Sequence, residues 1–140
     1  MQQVAAGKKQ TLGLQANGMV LYVGSVAYVG HKDRKQDYVF GWRNIRQVAA
    51  SKYHTIGLKS DGTIVAAGDD SKGQCDAVQW KNIKQVAVGD YHTVGLKQNG
   101  SVVSTQIPDF RKRYRTGQTD VSGWSEIRQV ATGTFHTVGL

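Results

Sequence analysis

The chain has 140 residues, the length of one domain, and its 39% hydrophobic residues and 17 glycines are typical of a turn-rich globular protein. A formal net charge of +8 is compatible with nucleic acid, anionic lipid or an acidic protein as partner, and equally with simple solubility. No apolar stretch approaches the roughly 18 residues of a membrane-spanning helix. The start of the chain does not resemble a secretory signal, and the single Cys75 cannot form an internal disulfide. We therefore expect a cytoplasmic protein without a membrane segment.

A repeat organises the whole sequence. Gln-Val-Ala, followed after a short gap by Thr-x-Gly-Leu, occurs four times, and the copies begin at Gln3, Gln47, Gln85 and Gln129. A period of about 40 residues indicates one supersecondary unit that stacks on copies of itself. We predict a single repeat domain over 1–140, with repeats at 3–45, 46–83 and 84–127 and a partial repeat at 128–140.

Each full repeat contains a hairpin signal and an apolar anchor. Asn or Asp precedes Gly between two β-prone runs, which predicts a tight turn with positive φ. The repeat then closes with Trp, two residues and Ile, and we interpret the tryptophans as plugs between stacked units; they are Trp42, Trp80 and Trp124. Three or four short strands per repeat predict an all-β fold, and small sheets at this period are typical of a β-propeller of about three blades plus a half repeat.

Three blades are too few to close a ring, because propellers typically have about four to eight. The fourth copy ends at Leu140 before its turn and return strand, and residues 1–14 duplicate that half instead of completing it. We therefore expect either a piece of a longer protein or a homo-oligomer. We prefer the piece, because an unpaired edge strand promotes aggregation.

The repeated histidines His54, His92 and His136 suggest a metal site at first sight. Metal ligands must converge within about 2 Å of one ion, whereas equivalent positions on successive blades lie a blade's width apart. We interpret these histidines as structural, with ring nitrogens bonded to backbone groups between blades. Catalytic motifs are not recognisable in the sequence, so we expect no enzymatic activity, no metal and no cofactor.

The spacers of the first and third repeats are longer than that of the second, and both mix basic with aromatic residues. Guanidinium groups pair with carboxylates or phosphates, and aromatic rings add contact area at low entropic cost. The candidate contact residues are Arg111, Lys112, Arg113, Tyr114 and Arg115, with Lys32, Arg34 and Lys35 as a second patch. A solvated loop, an acidic protein surface and nucleic acid remain open as interpretations.

The string from Gln85 to Lys97, with Asn99-Gly100 behind it, resembles the regulator of chromosome condensation repeat, and the stretch from Gly68 to Gln74 is similar to that family's glycine-rich segment. The variant with Gly before Leu is most similar to bacterial members. The resemblance implies a propeller, commonly of seven blades. Roles in this family include nucleotide exchange on the Ran GTPase, chromatin binding and inhibition of β-lactamase, so the resemblance implies a binding platform.

We therefore predict a non-enzymatic protein-binding scaffold whose partner has an acidic surface. The first alternative is nucleic-acid or chromatin binding through the same basic loops. The second is guanine nucleotide exchange on a small GTPase, although the sequence has no recognisable copy of the exchange factor's wedge-like insertion. Two departures from the repeat are Gln10, where the other copies have His, and Ser51, where they have Gly.

Overall fold

The computed structural model describes residues 1–8, 10–24, 39, 41–69 and 73–140. Within these residues, three antiparallel sheets of three strands follow one another along the chain, and a sheet of two strands comes last. The strands are β1 (Gln3–Ala6), β2 (Gln10–Leu14), β3 (Val20–Gly24), β4 (Ile45–Ala50), β5 (His54–Lys59), β6 (Ile64–Gly68), β7 (Ile83–Val88), β8 (Thr93–Lys97), β9 (Val102–Ser104), β10 (Val130–Thr132) and β11 (Thr137–Gly139). This confirms the all-β prediction. A 3-10 helix at Asp109–Tyr114, within the third spacer, was not predicted.

The hairpins differ in detail from a two-residue turn. Between β5 and β6, the amide of Gly62 donates to the carbonyl of Lys59 (3.0 Å), and Asp61 Oδ1 accepts from the amide of Thr63 (3.0 Å). Gly62 has a φ of 82°, whereas Asp61 keeps a negative φ. The turn is therefore a three-residue loop in which a type I turn is followed by a left-handed glycine. Only the glycine needs the positive φ that the sequence predicts.

The core lies between successive sheets. Leu12 and Leu14 on the middle strand of the first sheet are fully or almost fully buried against Val48 and Ala67 of the second sheet. Because side chains alternate along a strand, the same strands present their other residues to the opposite side. Each sheet thus contributes one apolar face to each neighbour, and the sheets stack in chain order.

Each tryptophan ring packs against the same glycine position of a middle strand. A Cβ added to Gly57 would lie 2.8 Å from the ring of Trp42, which is closer than carbon atoms can approach. The middle strand therefore needs glycine at this position so that the ring can lie against the backbone. The same pairing occurs three times, as Trp42 with Gly57, Trp80 with Gly95 and Trp124 with Gly139.

A left-handed residue precedes the isoleucine that closes each full repeat. Asn44 and Asn82 have a φ of 59°, and Glu126 has a φ of 58°. This conformation directs the next amide to the previous hairpin, where Ile45 donates to the carbonyl of Gly18 (3.1 Å). Asn tolerates positive φ better than Glu, so Glu126 holds its position at a conformational cost.

Candidate partner-binding surface

The repeated histidine links each sheet to the next. His54 Nε2 lies 2.8 Å from Thr93 Oγ1, and His92 Nε2 lies 3.0 Å from Thr137 Oγ1. In the first repeat Gln10 makes the equivalent link, because its Nε2 donates to Thr55 Oγ1 (2.9 Å). The partner is a threonine hydroxyl, and not the backbone group that the sequence led us to expect.

The hydrogen bonds around His54 assign its tautomer. Thr93 gives its hydroxyl proton to the carbonyl of Gln74 (2.7 Å), so it must accept from an Nε2–H of His54. Nδ1 is then unprotonated and accepts from Ser51 Oγ at 3.0 Å. Complete burial, with a smaller contribution from the nearby His92, lowers the pKa of His54 to about 3. The ring is therefore neutral, and its role is to join two sheets.

His92 is also bonded through Nε2 to a threonine of the next sheet, but the surroundings of its Nδ1 differ from those of His54. Burial, followed by the effect of His136, lowers the pKa of His92 to about 4. Its Nδ1 has no hydrogen-bond partner among the described residues, because Gly89 stands where the second repeat has Ser51. His136, immediately before β11, is exposed. The histidines thus lie at separate junctions and do not converge on a common point.

A glutamine amide makes a second link at every junction. The Gln47 side chain donates to the carbonyl of Val86 (2.9 Å) and accepts from the amide of the same residue (3.0 Å). Gln85 forms the same pair of bonds with Val130, at 3.1 and 3.0 Å. The first residue of the repeat signature is therefore a side chain that binds the backbone of the next sheet.

The residue before each repeated histidine lies on a different surface. Because the histidine side chains of the second and third repeats enter the junctions, the residues before them are displayed at the end of the loop, and in three copies of the repeat this position is aromatic. The ring centroid of Tyr91 lies 5.5 Å from that of Tyr53 and 5.4 Å from that of Phe135. These distances are within the range of favourable aromatic pairs. The three rings form a row across the second, third and fourth sheets.

The third spacer adds a fourth ring to this row. Its 3-10 helix ends at Tyr114, whose centroid lies 4.8 Å from that of Tyr91. Thr116 holds the end of the spacer to the fourth sheet, since its hydroxyl lies 3.0 Å from the carbonyl of Phe135. We call Tyr53, Tyr91, Tyr114 and Phe135 the aromatic cluster.

Basic side chains lie at two ends of the aromatic cluster. Lys52 Nζ lies 4.7 Å from the centroid of Tyr53, and the guanidinium carbon of Arg113 lies 4.9 Å from that of Tyr114. Both distances fit a cation–π contact. Hydrogen bonding by Lys52 is the main cause that lowers the pKa of Tyr53, whereas burial raises that of Tyr91 to about 12. The Tyr91 phenol is therefore neutral at pH 7 and can donate a hydrogen bond.

The structure places only part of the predicted contact set. Arg113 and Arg115 are exposed, and Arg111 and Tyr114 are half-buried. The side chain of Lys112 lies outside the described residues. The first-spacer patch, Lys32, Arg34 and Lys35, also lies outside them.

Sequence reasoning missed the contribution of the repeats themselves. Lys52, Tyr53, Tyr91 and Phe135 were not among the predicted contact residues, although they adjoin the spacer residue Tyr114. A signal was available, because an aromatic residue precedes the histidine in three copies of the repeat. The surface is therefore assembled from loops of several repeats together with the third spacer.

The described residues offer little for other chemistry. Among them, no group of three or more His, Cys, Asp or Glu side chains could hold a metal ion. Cys75 is buried, and its Sγ lies 3.7 Å from the carbonyl of Asp69. In the described ranges, no helix is long and apolar enough to cross a bilayer.

Comparisons with known proteins agree with this architecture. The family described as "Regulator of chromosome condensation (RCC1) repeat" matches residues 45–74 and 83–105. No curated protein sequence matches the chain. Among solved structures, yeast RCC1 (Prp20) bound to Kap60 is 23% identical with a TM-score of 0.68, over 99% of this chain and 41% of that chain. Prp20p from Saccharomyces cerevisiae, in a study of its binding to Gsp1p and histones, is 20% identical with a TM-score of 0.67, over 99% and 42%.

A third similar structure is the CRINKLY WD40 ectodomain of the Arabidopsis thaliana receptor kinase ACR4, which is 16% identical with a TM-score of 0.63, over 98% of this chain and 44% of that chain. The chain thus spans about two fifths of the length of these structures. The two segments that match the family span β4 to β6 and β7 to β9, which are the second and third sheets. Residues 45–74 and 83–105 thus match the regulator of chromosome condensation repeat, and the chain has the fold of part of a β-propeller.

Proposed function

We propose that the chain is a non-enzymatic scaffold that binds a partner protein, and that the partner presents an acidic surface to the third spacer. The observation that carries the proposal is the contact of Tyr114 with Tyr91, which joins the basic spacer to a surface made by the repeats. A spacer anchored in this way offers rings and guanidinium groups at little entropic cost on binding. Tyr and Arg are among the residue types that most often dominate binding energy at protein interfaces.

The similar yeast structures support the general idea of protein binding, since one is described in complex with Kap60 and the other for its binding to Gsp1p and histones. Those descriptions concern the yeast proteins. The charge of this chain, which is +8 overall, and the exposed side chains of Arg113 and Arg115 support an acidic partner. Such charges mainly raise the association rate and the specificity of an interface.

The test starts from capture of partners on the immobilised chain, followed by measurement of Kd with one purified partner. A variant with Ala at Arg113, Tyr114 and Arg115 should weaken that Kd by at least thirtyfold, since a single anchor contributes about 2 kcal/mol or more. Lys81→Ala, at an exposed basic residue outside the spacer, is the matched control and should change Kd by less than twofold. Equal effects of both variants would contradict the proposal. So would tight binding of generic duplex DNA with a steep salt dependence, which indicates phosphate contacts.

A further inference from the structure

The aromatic cluster and its two flanking cations define a binding surface that extends beyond the third spacer. Its rings come from three consecutive sheets and the spacer, and a cation lies at each of two ends, Lys52 beside Tyr53 and Arg113 beside Tyr114. The question is which chemical class of ligand this arrangement fits best.

The packing of the rings disfavours stacking by nucleic-acid bases. A base binds an aromatic side chain by covering a ring face. Here Tyr91 already packs on Tyr53, Tyr114 and Phe135, and the cations of Lys52 and Arg113 lie over the two outer tyrosines. A base that stacked on the cation-bearing face of either outer ring would have to displace the cation. The ring of Phe135 has the largest exposure in the cluster, since this residue is 44% exposed.

The charges favour carboxylates. Asp90 lies at this surface, and the protein engages both its oxygens: Oδ1 accepts from the amide of Lys52 (3.2 Å), and Oδ2 accepts from the hydroxyl of Thr134 (3.2 Å). The ammonium of Lys52 and the guanidinium of Arg113 have the opposite charge. Tyrosine hydroxyls beside these cations are additional donors to a carboxylate.

Resting on the proposed function, we infer that this surface binds an extended acidic segment of the partner protein, with carboxylates toward Lys52 and Arg113 and an apolar side chain on Phe135. The contacts from Lys52 through Tyr91 to Arg113 cover roughly 20 Å at most, and an extended chain covers about 3.3 Å per residue. A segment of about six residues therefore reaches both cations. The recognition element is a short acidic stretch, and a folded acidic face is not required.

The experiment uses the whole chain and two fluorescein-labelled probes of equal length: a twelve-residue glutamate peptide with one central leucine, and a twelve-nucleotide oligothymidylate. Fluorescence anisotropy gives Kd for each. We expect the peptide to bind, and Lys52→Glu and Arg113→Glu each to weaken it at least tenfold. Lys81→Glu makes the same change of charge away from the cluster and should weaken it less than twofold. Unchanged thermal melting of the three variants shows that they are folded.

Three outcomes would overturn the inference: no binding of the peptide, equal weakening by Lys52→Glu and Lys81→Glu, or tighter binding of the oligothymidylate than of the peptide. Equal weakening would mean that net charge alone attracts the probe. The proposed function fails separately. If Arg115→Glu abolishes binding of a purified partner while the peptide does not bind, the scaffold role stands and the acidic segment is wrong. If the peptide binds through Lys52 but no protein partner depends on the third spacer, the site for an acidic segment stands and the proposed scaffold role of the spacer is wrong.

Discussion

Replacement of His54 by Gln should change how stability depends on pH while leaving the fold intact. The chain itself shows that Gln can occupy this position, because Gln10 donates to Thr55 in the first junction as His54 Nε2 does to Thr93 in the second. The substitution therefore keeps the link between sheets and removes a titrating ring. At pH 7 we expect the free energy of unfolding to change by about 1 kcal/mol or less, the value of one hydrogen bond.

The magnitude of the pH effect follows from burial. In the unfolded chain a histidine takes up a proton near pH 6.5, whereas burial lowers the pKa of His54 in the folded protein to about 3. Between these values the unfolded state binds more protons, so stability falls as the pH falls. For one such histidine the loss between pH 7 and pH 5 is about 2 kcal/mol. Above pH 6.5 both states are neutral, and this contribution to stability is fully present.

Urea unfolding followed by tryptophan fluorescence at pH 7, 6 and 5 measures the effect. The wild type should lose about 2 kcal/mol more than His54→Gln over this range, because ionisations elsewhere cancel in the difference. Gln10→His is the reciprocal variant, and it should steepen the loss by a similar amount if the new imidazole is equally buried. Parallel pH profiles for the wild type and His54→Gln would refute the reasoning, since they would mean that His54 is protonated alike in both states.

Further predictions concern the junctions and the nucleotide exchange alternative. Gly57→Ala should destabilise the protein by about 2 kcal/mol, because its Cβ would overlap the ring of Trp42. Gly123→Ala is the control and should change thermal stability little, because a Cβ there meets nothing within 4 Å. Glu126→Asn should stabilise by about 0.5 to 1 kcal/mol, because Asn82 holds the equivalent left-handed position, and a loss of stability in urea titration would contradict this. The chain should not accelerate release of labelled GDP from a Ran-type GTPase, and clear acceleration would favour the exchange alternative.

Much of the architecture was predictable because it depends on short-range patterns. The Asp61-Gly62 pair between β-prone runs predicted a hairpin, and its glycine has the required positive φ. The repeat period predicted small sheets in series, and the structural comparisons confirm a partial propeller. These features follow from local backbone preferences and from repetition, both of which one sequence displays.

The contacts between repeats were harder to predict. That His54 would pair with Thr93 depends on the register between two sheets, and no local pattern specifies that register. The left-handed Glu126 gave no signal either, since Glu is uncommon in that conformation. The contact of Tyr114 with Tyr91 depends on the path of a spacer that contains a 3-10 helix. Contacts between residues so far apart in the sequence can be identified only from the three-dimensional structure.

The links between neighbouring sheets have a consequence for local opening. No strand pairs with a strand of another sheet in the described residues, and the junctions consist of side-chain bonds such as Gln47 to Val86, apolar packing, and a backbone bond such as that from Ile45 to Gly18. Each sheet therefore keeps its own hydrogen-bond ladder when a junction separates. In quasi-linear proteins, such units open from the ends inward, with nearest-neighbour coupling. Amide hydrogen exchange should accordingly change in steps at the junctions, with protection rising from the outer sheets to the second and third.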